Sequence, residues 1–133
     1  MSEPTRRKYC GGGLSDAIRK DRELYRRALK LMKQARQHSR PAGHEYIDCF
    51  VGRLRFAVRY LDAADAFGAT AAAEKAGDLE EAKSHIDAAY MAIREALEAY
   101  VGTVKDHGDL GAVALMNEYC YRPIRAKREE LQQ

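Results

Sequence analysis

The sequence predicts an all-α fold, an up-down four-helix bundle with a long central helical hairpin. Three observations predict it. Apolar residues recur at the three-and-four spacing of a helix face through most of the chain. Gly77-Asp78 and Gly108-Asp109 each join a helix stop to a helix start. The composition is rich in Ala, Glu, Arg and Leu, with three Pro and no Trp, and such side chains lose little freedom on a helix.

Residues 1–13 read as a flexible N-terminal segment. Gly11-Gly12-Gly13 is a poor helix former, since each Gly costs about 1 kcal/mol relative to Ala. Residues 14–133 read as one bundle domain, a length that supports a single core.

A first helix is expected from Ser15 or Asp16, both good N-cap types, to about His38. Leu14, Ile18, Leu24, Tyr25, Ala28, Leu29, Leu31, Met32 and Ala35 fall on one arc. Arg19, Arg22, Arg26, Lys30 and Lys33 fall on the other. Ser39-Arg40-Pro41-Ala42-Gly43 is a loop by composition.

The second helix is expected from His44 to Ala76. Tyr46, Ile47, Phe50, Val51, Leu54, Ala57, Val58, Leu61, Ala64 and Phe67 give it a wide apolar face, so it is the more central element. Gly52 and Gly68 are candidates for close packing. Gly77 suits the left-handed position after a helix, and Asp78 with Glu81 resembles a capping box. The third helix is expected to run to Asp106. Its inward residues are Leu79, Ala82, Ile86, Ala89, Tyr90, Ile93, Leu97, Tyr100, Val101 and Val104. A fourth covers Leu110 to Leu131, and Pro123 is expected to kink or restart it. Short connections imply antiparallel neighbours. The outer helices look shorter than the second, so part of the hairpin is expected to project and to want a partner.

Charge is unevenly spread. Residues 1–45 carry twelve Lys and Arg against five Asp and Glu, residues 46–121 seven against thirteen, and residues 122–133 four against two. Basic ends therefore flank an acidic middle. Arg19, Arg22, Arg26, Lys30 and Lys33, extended by Arg6, Arg7 and Lys8, form a candidate polyanion-binding face. The alternative is a solvated face, or one that pairs with the acidic middle.

Catalytic patterns are missing. A di-iron bundle needs Glu three residues before His, and none of the four His has it; Glu81 and His85 are four apart. His107 and Asp109 read as a helix C-terminal His followed by a capping Asp rather than metal ligands. Asp62 with Asp65, and Glu95 with Glu98, read as solvated helix faces rather than acid–base pairs. Cys10, Cys49 and Cys120 are scattered, without a CxxC pair, and read as reduced thiols. There is no phosphate-binding loop or nucleophile elbow. The chain is therefore read as no enzyme, with no cofactor and no metal. No apolar run approaches the ~20 residues of a membrane span, so no membrane partner is expected. The location is cytoplasmic if the chain is complete, and open if it is a fragment of an exported protein.

Asn117, Tyr119, Tyr121 and Arg122 form a candidate pocket or a polar seam tying helix ends together. Gly108-Asp109-Leu110-Gly111, followed by Asn117, Tyr119 and Tyr121-Arg122-Pro123, resembles the helical C-terminal region of large bacterial glycoside-hydrolase-like proteins of the α-glucuronidase-like kind. So does Val51-Gly-Arg-Leu-Arg-Phe-Ala-Val-Arg-Tyr60. The resemblance spans residues 14–128. It implies an accessory packing bundle that follows a catalytic barrel, and with the barrel missing it carries over no catalytic residue. The expected function is a non-enzymatic helical packing or interaction module. Self-association or a partner protein is its expected mode, and nucleic-acid or polyanion binding through the first helix is the alternative.

Overall fold

The computed structural model describes residues 14–103 and 107–133, with the side chains of 107–110 outside the description. Among the described residues the chain is helical throughout. Its helices are α1 (Asp16–His38), α2 (His44–Lys75), α3 (Leu79–Val101), α4 (His107–Met116) and α5 (Arg122–Leu131). A π-helical turn, Asn117–Tyr121, joins α4 to α5, so these two make one continuous fourth helix.

Each boundary has a local cause. Ser15 Oγ accepts the N–H of Ile18 at 3.3 Å and caps α1. Pro41 forces Arg40 into extended backbone, which ends the helix beyond His38. After α2, Gly77 adopts φ +81°, where a Cβ would be strained. Its N–H donates to Glu74 O and that of Asp78 to Ala73 O, the paired bonds of a Schellman stop. Asp78 Oδ1 then accepts the N–H of Glu81 at 3.1 Å and starts α3. The third helix is described to Val101, with Gly102 as its C-cap; the expected inward Val104 and the expected end at Asp106 lie outside the described residues.

Pro123 does not break the last helix. It lacks an N–H, and its ring would crowd the carbonyl four residues back. The chain widens by one residue instead, and the N–H of Arg122 reaches Asn117 O.

The core lies between α2, α3 and the fourth helix. Ala63 of α2, Ile86, Ala89, Ala92 and Ile93 of α3, and Cys120 and Ile124 form one buried cluster. Tyr60, Phe67, Tyr90, Tyr121 and Leu131 pack around it. The many Ala residues let the α2–α3 hairpin approach closely. Thr70, fully buried, donates its hydroxyl to Ala66 O at 2.9 Å and leaves no unpaired polar atom. At the two ends of α3, Leu79 and Val101 stay exposed, contrary to the expectation that both point inward.

The first helix departs most from expectation. It packs on α2 alone among the helices in any substantial way, and it buries no residue. α2 is 32 residues long against 23 for α3. Gly52 of α2 stands beside Thr103, just past the end of α3. The turns of α2 before Gly52 therefore overhang α3, so the projection expected of the hairpin is its N-terminal part. No helix is long and apolar enough to cross a membrane among the described residues.

Candidate interaction surface

α1 is docked by charge. Arg19 Nη2 donates to Asp65 Oδ1 at 3.0 Å, and Arg22 Nη1 to Asp62 Oδ1 and Asp65 Oδ2 at 3.2 Å each. Arg26 Nη2 donates to Asp62 Oδ1 at 2.8 Å, and its Nη1 also meets Glu23. Asp62 Oδ2 accepts from Arg59 Nη1 at 3.0 Å, and Arg59 Nε reaches Glu95 of α3 at 2.7 Å. One ladder thus crosses three helices. Farther along, Arg36 Nε donates to Asp48 Oδ1 at 2.6 Å. That bond holds the Asp48 carboxyl below its ordinary range; burial opposes it, and the charges of Arg36 and His44 add to the lowering.

Three of the five candidate polyanion-binding residues are thus engaged within the fold. Lys30 and Lys33 have no ion-pair partner among the described residues, while Arg6, Arg7 and Lys8 lie outside them. Asp62 and Asp65 are not the solvated face expected of them. Their side chains are 17% and 28% exposed because four arginines surround them.

Charged docking on one flank has a consequence on the other. In two antiparallel helices, flanks of like helical phase meet on the same side of the contact line. Arg19, Arg22 and Arg26 lie on one flank of α1, opposite Asp62 of α2. The other flank of α1 carries Ala17, Leu24, Ala28, Leu31 and Ala35. The matching flank of α2 carries Tyr46, Phe50, Ala57 and Ala64. Leu24 and Leu31 are each 57% exposed and Tyr46 68%, and Ile18, Tyr25 and Phe50 are exposed beside them. The apolar arc expected to point inward therefore forms an open face between α1 and α2. The periodicity that revealed the arc could not reveal which flank would be covered.

Asn117, Tyr119, Tyr121 and Arg122 do not converge on a pocket. Tyr119 is exposed, Arg122 pairs with Glu118 at 2.8 Å, and the carbonyl of Asn117 closes the π turn. Tyr121 ties helices together. Its hydroxyl lies 3.4 Å from that of Tyr90, and Arg128 stacks over the Tyr90 ring at 4.5 Å while pairing with Asp87. The bond from Tyr121 lowers the Tyr90 pKa, burial opposes it, and Arg94, Arg128 and Arg125 add to the lowering. Tyr121 is raised by the same bond. Of the seam expected here, the Tyr90–Tyr121 contact stands. Cys120 is buried with Sγ 3.8 Å from Tyr60 Oη.

A shallow groove of about 660 Å³ opens where α1 and α3 end and α2 begins, lined by Lys33, Arg36, Arg55, Asp48 and Glu98 among others. Its cations and carboxylates largely offset one another. No cluster of His, Cys, Asp and Glu able to hold a metal exists among the described residues; the side chains of His107 and Asp109 lie outside them. No family model matches the chain, and no curated protein or solved structure matches it.

Proposed function

We propose that the chain is a non-enzymatic helical module that works by packing, on itself or on a partner protein, through the open face between α1 and α2. One observation carries the reading. An amphipathic helix held by Arg–Asp pairs turns Leu24 and Leu31 to solvent, where burying each would stabilise by about 1.5–3 kcal/mol. Contiguous exposed apolar surface of this kind marks an interaction site. The accessory role in carbohydrate-active proteins rests on the sequence resemblance alone and narrows the partner no further.

The test is size-exclusion chromatography with light scattering at low and high salt, read at 260 and 280 nm. The expected result is a protein-only assembly, indifferent to salt, whose mass falls when Leu24 and Leu31 are replaced by Glu. A species with excess 260 nm absorbance that salt removes would replace this reading with polyanion binding. A monomer at every concentration, with the double Glu variant no different in solubility or dye binding, would overturn it.

A further inference from the structure

The core is built without α1. Among the described residues its buried cluster draws on α2, α3 and the fourth helix, and takes nothing from α1. Along α1 only Arg22, Ala28, Leu29 and Met32 are even half-buried. The ion pairs of Arg19 with Asp65, Arg22 with Asp62 and Arg36 with Asp48 set α1 antiparallel along α2. Val51, Arg55, Val58 and Asp62 share one face of α2, at steps of four, three and four. Leu29, between the paired Arg26 and Arg36, lies over that face.

What holds α1 down is mainly charge, and charge can return to water. Lifting α1 breaks the contacts of Arg19, Arg22 and Arg26 with Asp62 and Asp65, but each ion recovers hydration that docking removed. Arg59 stays beside Asp62, so that carboxylate keeps a partner within α2. Arg22 Nε is buried in the docked state with no hydrogen-bond partner among the described residues, a cost that lifting removes. Unfolding the core would instead expose the fully buried Ile86, Ile93 and Ile124, with no such return. The joint is also in place. Ser39 and Arg40 are extended and Pro41–Gly43 is a single 3-10 turn, so rotation at Ser39 swings α1 without moving a core residue.

We infer that α1 is a latched arm. It lifts from α2 as one unit about residues 39–43, while α2, α3 and the fourth helix keep their shared core. This is a sub-global opening, cheaper than unfolding the whole chain. It uncovers the face of α2 that carries Val51 and Val58, bounded by Asp48 at one end and by Asp62 and Asp65 at the other. The arginine ladder sets how often the arm opens. Such an opening takes place within one chain and does not depend on the packing reading above.

The experiment is hydrogen exchange of the full chain, read by peptide mass spectrometry, in the parent, Arg22→Ala and Ile86→Val. In the parent, α1 amides should be protected, but less than those of α3. Ile86→Val loosens the core, so it should speed exchange across residues 86–96 by about three-fold or more. It should leave α1 unchanged, because lifting the arm does not pass through the core. Arg22→Ala should speed exchange by about ten-fold or more along residues 19–38 together. Both variants should keep the helical circular dichroism of the parent. If Ile86→Val speeds α1 as much as α3, then α1 opens only with the whole fold and the arm is overturned. If Arg22→Ala acts only on amides beside residue 22, the helix frays locally rather than lifting, which overturns it equally. An α1 without protection in the parent would mean that the latch never closes, and would also overturn it.

Discussion

Arg22 Nη1 stands 3.2 Å from Asp62 Oδ1, and the two side chains are only 11% and 17% exposed. The same nitrogen reaches Asp65 at 3.2 Å. α1 has no buried apolar residue, so this half-sequestered contact is the firmest attachment of α1 to the bundle. Removing one partner of a buried ion pair is costly because it strands the other charge, and partial exposure reduces that cost.

Arg22→Ala is therefore expected to destabilise by about 1–3 kcal/mol, against less than about 0.5 kcal/mol for the exposed Arg27→Ala. Denaturant unfolding followed by circular dichroism measures both. Hydrogen exchange should show the protection of α1 falling before that of α3. Equal losses for the two variants would mean that the ladder does not hold α1.

The fold class and most boundaries were legible because they are local. Ser15, Pro41, Gly77 and Asp78 act within a few residues of themselves, and each did what its type predicts. The orientation of α1 was not legible, because its apolar arc and its arginine arc each had a claim on α2. Asp62 and Asp65 decided it, and they lie some forty residues away on the face of another helix. The expected pocket at Asn117–Arg122 failed for a similar reason. The π turn before Pro123 rotates Tyr121 toward Tyr90 and leaves Tyr119 outside, and a constant 100° per residue cannot anticipate an inserted residue.

Gly52 offers a test of the hairpin. A Cβ built there would come within 2.6 Å of Thr103 Cγ2. Thr103 is 5% exposed and its hydroxyl donates to Tyr100 O at 2.8 Å, so the side chain cannot rotate away without breaking that bond. Gly normally loses to Ala inside a helix by about 1 kcal/mol. Here the sign is expected to reverse, with Gly52→Ala destabilising by about 1–2 kcal/mol. Gly52→Ala combined with Thr103→Ser, which removes the clashing methyl, should recover most of the loss. Thermal unfolding of the single and double variants measures the coupling.

The Tyr90–Tyr121 pair has a signature at high pH. Tyr90 is lowered by its bond to Tyr121 and by nearby arginines, so its contribution to stability is present above the unfolded tyrosine value of about 10 and is lost as pH falls through the lower folded value. Tyr121 is raised, so its contribution has the opposite sign: it favours the fold below about 10, and the advantage disappears as pH rises through its folded value. Near pH 7 both tyrosines are protonated in the folded and the unfolded chain, so stability does not vary with pH there through either group. With no Trp in the chain, phenolate absorbance reads the titration directly. Tyr90→Phe should remove the earliest-ionising component, and Tyr121→Phe should move that component upward by removing the bond that lowers it. An unchanged curve for both variants would show that the hydroxyls do not interact.

Charge reversal separates docking from polyanion binding. Lys30 and Lys33 have no partner among the described residues, whereas Arg22 anchors α1. Lys30→Glu with Lys33→Glu should leave stability within about 0.5 kcal/mol of the parent, as for surface substitutions. Arg22→Glu places a third carboxylate beside Asp62 and Asp65 and should release α1 from the bundle. Retention on a heparin column, compared across salt, then distinguishes the two roles. If the basic face binds polyanions, the Lys pair carries it and the double variant elutes at lower salt with its fold intact. If the arginines serve the fold, as their pairing argues, the double variant elutes with the parent, and only Arg22→Glu changes behaviour, through lost structure visible in its circular dichroism.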